Sequence, residues 1–157
     1  MKNEMTLAFD SISENEAFAR VAVAAFVTQL NPTLEEVADI RTAVSEAVTN
    51  AIIHGYPTEV HTIVIRARLT GDLVEIRVSD EGVGIPDVKR AMEPLYTTRP
   101  DLERSGLGFM FMEAFMDEIR VESSPGLGTT VYMKKRVGLE EQRREGSRTD
   151  GRHDGID

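Results

Sequence analysis

Two hydrophobic periods divide the chain. From Thr62 to Leu69, and again from Leu73 to Asp80, apolar and polar residues alternate at every second position. The "TGD" between them predicts a tight turn, and hence a β-hairpin. "EMTLAFD", Glu4 to Asp10, alternates more weakly and reads as an edge strand. Ser13 is placed to N-cap a helix that begins near Glu14 and runs to about Leu30, where Asn31-Pro32 breaks it. "TLEE" then forms a capping box, with Thr33 capping and Glu36 reaching back, for a second helix that runs to about His54 with Gly55 as its stop. Beyond the hairpin come a loop holding "DEGVGIP", a polar segment with Pro94 and Pro100, and a helix from about Gly108 to Glu118. Two last strands, "IRVES" and "TTVYMKKR", are joined by the glycine-rich turn "SPGLG". After Gly138 apolar residues almost vanish, which divides the chain into a single domain, 1–137, and a disordered tail, 138–157. Strand, two helices, two strands, helix and two strands, with hairpins at both ends of the sheet, predict an α+β two-layer sandwich with helices on one face.

Composition narrows the chemistry. The chain has 157 residues, 41% of them hydrophobic, and no internal repeat, which fits one globular core. No run reaches the roughly 18 to 20 apolar residues that span a bilayer, and "MKNEMTLAFD" lacks the apolar stretch of a signal peptide, so a soluble, cytoplasmic protein is expected. With no cysteine and three scattered histidines, thiolate chemistry and a zinc site are disfavoured, and any metal would be hard and oxygen-bound. A formal charge of −9 argues against nucleic acid and favours a protein partner or a small ligand.

In "EAVTNAIIHG" the polar residues Glu46, Asn50 and His54 recur at intervals of four. At roughly 100° per residue, Val37, Ile40, Val44, Val48 and Ala51 mark the core direction of this helix. Asn50 and His54 then share a flank with Ala43 and Ala47, and Glu46 lies slightly further round. Such a line is either a solvated stripe or one wall of a ligand site beside two small alanines. Asp80 favours the second reading. Val74, Ile76 and Val78 set the inward face of their strand, and period 2 carries that face to Asp80, a carboxylate that needs a donor once buried. Gly82 and Gly84 would let the backbone approach a flat ligand, although Asp80 is also placed to cap the following turn. In "RSGLGF", glycines at the mouth of a helix make an anion site of the phosphate-binding kind, or an ordinary loop. The "PLYTTRPDLERS" before it has the hydroxyls and arginines of a lid.

The ordered boxes E-x-x-x-N-A-x-x-H, D-E-G-x-G-I-P, S-G-L-G-F and G-x-G-T-T resemble the Bergerat-type ATP-binding fold of histidine-kinase catalytic domains, gyrase-type ATPases and small serine kinases. The resemblance runs from Met5 to Arg136. It is strongest to the bacterial anti-sigma factors with serine-kinase activity, in particular the sigma F branch of sporulating bacilli. It implies a mixed, mostly antiparallel sheet, ATP or ADP with Mg²⁺ as cofactors, and Asn50 as the metal ligand. It also implies Glu46 as general base and Asp80 as acceptor for the adenine amine, with Gly82 and Gly84 beside it. Ser105, Gly106, Leu107, Gly108 and Phe109 would wrap the phosphates, with Thr97, Thr98 and Arg104 as lid contacts and Thr129 or Thr130 near the base. His54 is either a member of this site or a residue that shapes the helix end.

In the first helix, "ENEAFARVAVAAFVTQL", apolar residues occur all round, more than one core face consumes. The surplus predicts a protein interface and, with the first strand, a homodimer. Arg20, the helix's one basic residue, is a candidate partner contact. The resemblance implies a sigma factor and a STAS-type anti-anti-sigma protein as partners, the latter phosphorylated on serine, with no direct contact to nucleic acid or membrane. A stress-response kinase of the anti-sigma B type, a nucleotide-gated binding module with little turnover, and an ATPase without a protein acceptor use the same residues.

Overall fold

A computed structural model describes residues 1–85, 87–93 and 108–138, the side chain of Ala91 excepted. Five strands, β1 (Lys2–Asp10), β2 (Thr62–Thr70), β3 (Leu73–Asp80), β4 (Glu118–Ser124) and β5 (Gly128–Arg136), form one sheet in the order β1-β2-β3-β5-β4. Every pairing is antiparallel. Helices α1 (Glu14–Val27), α2 (Leu34–Asn50) and α4 (Gly108–Phe115) build the second layer, with α2 packed between α1 and α4; α3 (Val88–Ala91) is one short turn. The expected two-layer α+β sandwich is what forms. The core lies between the layers, where Ile63, Ile65, Leu69, Val74 and Ile76 of the hairpin meet Ile40, Val44 and Val48 of α2.

Local chemistry explains most boundaries. The capping box is present: Glu36 N–H donates to Thr33 Oγ1 at 3.1 Å, and Thr33 N–H donates to Glu36 Oε1 at 2.8 Å. Ser13 does precede α1, but its backbone is already helical and its hydroxyl makes no capping bond. An extended N-cap aims its side chain back at the first amides; Ser13 has turned too early to do so. The helix from Gly108 stops at Phe115 rather than Glu118, because Lys135 Nζ takes the Phe115 carbonyl at 2.8 Å and β4 begins at Glu118.

Two further expectations about α2 are corrected. Its α-helical part ends at Asn50, and Ala51–Gly55 form a wider π-turn in which Tyr56 N–H reaches Ala51 O at 3.1 Å. Gly55 is not a left-handed stop, since its φ is not positive. Ala43 and Ala47 do not border an open space either; both are buried in the core between the layers.

Glu36 Oε1 also accepts the N–H of Gly138 at 3.0 Å, so one carboxylate ties the start of α2 to the chain leaving β5. Removing Thr33's hydroxyl (Thr33→Ala) should cost about 1 kcal/mol, and Glu36→Ala should cost more, because it frees two backbone donors instead of one. Urea denaturation of the two variants orders them; equal midpoints would deny Glu36 its second role.

Candidate functional site

Three backbone segments converge where α2 and β3 end and β5 begins. Asp80 closes β3 on the inward face, 6% exposed. Its Oδ1 accepts the N–H of Gly82 at 2.9 Å, and the Thr129 N–H of β5, its register partner, also donates to it. The carboxylate therefore caps the turn and faces inward at once; the two readings of Asp80 are compatible. Burial raises its pKa from the ordinary 3.8, and the Gly82 and Thr129 N–H groups pull the other way.

The glycines around it are there for want of space. A Cβ on Gly55 would sit 2.7 Å from the Asp80 carboxylate, and one on Gly82 would sit 1.8 Å from Gly55 O. Gly55 O instead accepts the Val83 N–H at 2.9 Å, which welds the π-turn to the loop after β3. Gly84, at φ +77° and with Ser124 O where a Cβ would lie, lays that loop along the β4–β5 turn. There Gly126 N–H donates to Val83 O at 2.8 Å. Ser123 Oγ accepts from Ile85 N–H at 2.7 Å, donates to Gly128 O at 3.0 Å and lies 2.8 Å from Thr129 Oγ1.

Glu46, Asn50 and His54 are all half-buried, as a line at the border of the core should be. Glu46 and Asn50 sit on the last turns of α2. His54 belongs to the π-turn, which advances less per residue than an α-turn, so it falls out of strict line with the other two. Its neighbour Gly55 touches Asp80, which brings this helix end to the Asp80 cluster. Gly108 and Phe109 open α4, which packs on α2. Thr97, Thr98, Arg104, Ser105, Gly106 and Leu107, like the tail from residue 139, lie outside the described residues.

Thr129 and Thr130 separate. Thr129 is buried on the face of Asp80, whereas Thr130 points through the other face and its Oγ1 lies 3.1 Å from Ser79 Oγ. Strand alternation puts the two on opposite faces, so of the pair only Thr129 shares the face of Asp80. Arg20 is apart from the cluster. Its Nη1 pairs with Glu16 Oε1 at 3.4 Å, Glu16 accepts a bond from Ser45 of α2, and Arg20 Nε is buried without a hydrogen-bond partner among the described residues. Phe18 and Val21, three residues apart on the outer side of α1, are 52% and 57% exposed.

Sequence reasoning did not find Tyr56 or Ser123. Tyr56 is buried; its hydroxyl donates to Thr62 O at 3.0 Å and accepts the Glu81 N–H at 2.7 Å, holding the loop from the other side. Burial raises its pKa, partly offset by the Glu81 bond. Only its place directly after "IIHG" could have marked it.

The donor set suits a nucleotide with a hard cation. A buried carboxylate matches the amine edge of a base, whereas Gly82 and Gly84 make room for Gly55 O and Ser124 O, which corrects the expectation that they open an approach for a flat ligand. The Asn50 amide oxygen is one neutral ligand of the kind Mg²⁺ takes when phosphates and water supply the rest. Among the described residues, no helix is long and apolar enough to cross a membrane.

Residues 11–135 match the family described as "Histidine kinase-like ATPase domain". The chain is 60% identical over 138 residues to the anti-sigma F factor of Oceanobacillus iheyensis, covering 87% of this chain and 94% of the relative. It is 59% identical to that of Geobacillus kaustophilus over the same shares. Among solved structures, that of the RsbU and RsbW domains of Rv1364c from Mycobacterium tuberculosis is similar in fold. Its TM-score is 0.61 at 23% identity, covering 86% of this chain and 32% of that one.

The raised Asp80 pKa has a signed consequence. The folded chain holds the Asp80 proton to higher pH than the unfolded chain, so this contribution to stability is full below 3.8 and lost as pH rises through the folded value. Asp80→Asn has no such proton. The stability of wild type relative to Asp80→Asn should therefore fall with rising pH across that window and level off above it. Urea midpoints measured at intervals from pH 3.5 upward, about half a unit apart, read this directly; parallel curves would contradict it.

Proposed function

The chain belongs to the anti-sigma F factor family, within the histidine kinase-like ATPase domains, and on that premise we propose that it is an ATP-dependent protein serine kinase that also holds a sigma factor inactive. The observation that carries the reading is the buried Asp80 carboxylate, set among Gly55, Gly82 and Thr129 at the end of the helix that bears Glu46 and Asn50. Asp80 receives the adenine amine. Asn50 holds Mg²⁺ through its amide oxygen, and Gly108 and Phe109 at the mouth of α4 belong to the phosphate end. Bound Mg·ATP supplies the phosphoryl group and the cation that neutralises its charge.

Glu46 takes the proton from the serine hydroxyl of the acceptor, a STAS-type antagonist of the anti-sigma factor. Phosphoryl transfer passes through a loose transition state, so positioning and charge neutralisation do most of the work, and a base adds a further factor. The presence of a carboxylate one turn before Asn50 favours turnover over a purely structural nucleotide. A sporulation role and a homodimer built on α1 and β1 complete the reading. Exposed Phe18 and Val21, with the partly exposed Arg20 side chain on the same helix, form the partner surface.

With labelled ATP, Mg²⁺ and purified antagonist, Glu46→Ala should bind nucleotide within about twofold of wild type and phosphorylate about 10²- to 10⁴-fold more slowly. Asn50→Ala should lose Mg-dependent ATP binding by about tenfold or more. A Glu46→Ala protein that phosphorylates at the wild-type rate would remove the base.

Arg20→Ala should weaken sigma-factor capture by about tenfold, in the range of an interfacial arginine, while ATP affinity stays unchanged. Sedimentation of the same variant should still show a dimer at micromolar protein. Unchanged capture would place the partner surface elsewhere.

A further inference from the structure

The face of the sheet turned away from the helices is open among the described residues, and its side chains fall into rows across the strands. One row runs Glu4, Arg68, Glu75, Lys134, Glu118, in register from β1 to β4. Its charges alternate and pair: Arg68 Nε meets Glu4 Oε1 at 2.6 Å, and Lys134 Nζ lies 3.9 Å from Glu75 Oε1. The next row runs Thr6, Arg66, Arg77, Tyr132, Arg120. Here Arg66 and Arg77 are directly opposed on neighbouring strands, and among the described residues neither has a carboxylate partner. Like charges directly opposite weaken a sheet, so this row costs stability where its neighbour gains it.

The row is also held in place. Arg77 and Arg120 stack on the Tyr132 ring at 4.9 and 4.1 Å from its centroid, and Arg120 is steadied by Glu122 at 2.8 Å. Guanidiniums fixed on a ring lose less freedom when they bind a carboxylate, and their planar forks match one. Arg66, Arg77 and Tyr132 line a groove of ≈ 230 Å³ with Arg68, Lys134, Glu4 and Glu75 of the neighbouring row, four cations against two carboxylates.

We propose that this arginine row docks an acidic helix of a protein partner. Neighbouring strands stand about 5 Å apart, close to the 5–6 Å between Cβ atoms at i and i+4 on a helix, so a row of side chains across strands can meet a row along a helix. A second copy of the chain fits less well, because face-to-face packing about the row would set Arg66 and Arg77 against themselves. A chain of net charge −9 repels nucleic acid at long range, whereas a short acidic helix feels mainly the local row. The surface lies on the opposite face from Asp80 and does not depend on the nucleotide reading.

The test is a ¹⁵N NMR titration of the full chain with an alanine-rich helical peptide carrying Glu at every fourth position, beside its Gln counterpart. The Glu peptide should shift amides around Arg66, Arg77, Tyr132 and Arg120, and raising salt from about 20 to about 200 mM should weaken it about fivefold. The double variant Arg66→Glu with Arg77→Glu should weaken it about tenfold, and the charge-matched control Arg41→Glu with Lys89→Glu less than about twofold. ATP affinity, measured on the same variants, should not change, which separates this proposal from the nucleotide reading. The proposal is overturned if the Gln peptide binds equally or if the two double variants behave alike. It is also overturned if a DNA duplex shifts the same amides more tightly, or if Arg66→Glu with Arg77→Glu converts a dimer to monomer in sedimentation.

Discussion

The architecture around the candidate site depends on one constraint: a carboxylate is buried at the end of β3, and everything near it must be backbone. Burying an unpaired carboxylate is costly, and the cost is met by N–H donors only if those donors can come close. Gly82 and Thr129 supply them. Neither approach is possible unless the facing positions lack a Cβ, which is why Gly55 lies against the carboxylate and Gly82 against Gly55 O. The helix, the hairpin and the β4–β5 turn are thus located by a contact in which side chains are absent. The π-turn follows from the same demand. Widening the last turn of the helix carries Gly55 O to the Val83 amide, a bond that links helix to loop instead of continuing the helical ladder.

Features set by neighbours in sequence were legible before the structure was known. The Thr33–Glu36 capping box, the hairpin turn at Gly71 and the inward direction of Asp80 each depend on spacing within a few residues, and each is present. Features set by distant partners were not. Ser13 has the composition of a cap, but the backbone entering α1 is already helical there. The end of α4 depends on Lys135, which is twenty residues away along the chain. Gly55 looks like a helix stop because glycine usually is one; its actual reason, the Asp80 carboxylate, lies on another element. Thr129 and Thr130 could be separated only once the register of β5 against β3 was known. For the candidate site, the chemistry-bearing residues were readable from motifs, whereas the tyrosine and serine that hold the loop between them carry no local signature.

Helix α1 shows how one element serves two environments. Ala19, Val23, Ala24 and Val27 are buried, a stripe on the side where α1 packs on α2 and the sheet. Phe18 and Val21 are left outside that stripe. The bond from Ser45 to Glu16, and the pairing of Glu16 with Arg20, connect this outer surface to the residue just before Glu46.

The sheet divides its chemistry by the same alternation that builds it. Asp80 and Thr129 turn inward to the helices, while their chain neighbours Ser79 and Thr130 turn outward. No side chain on a strand can serve both faces, so the two surfaces are free to carry different chemistry provided the backbone keeps its register. That independence makes the arginine row informative. On the inner face, core packing explains the identity of almost every residue. On the outer face packing demands little, and the neighbouring Glu4–Arg68–Glu75–Lys134 row shows that paired charges are accommodated there. A row that leaves two opposed arginines without a carboxylate, and fixes one of them on a tyrosine ring, is therefore not explained by the needs of the fold. Its explanation has to be sought in what meets that face.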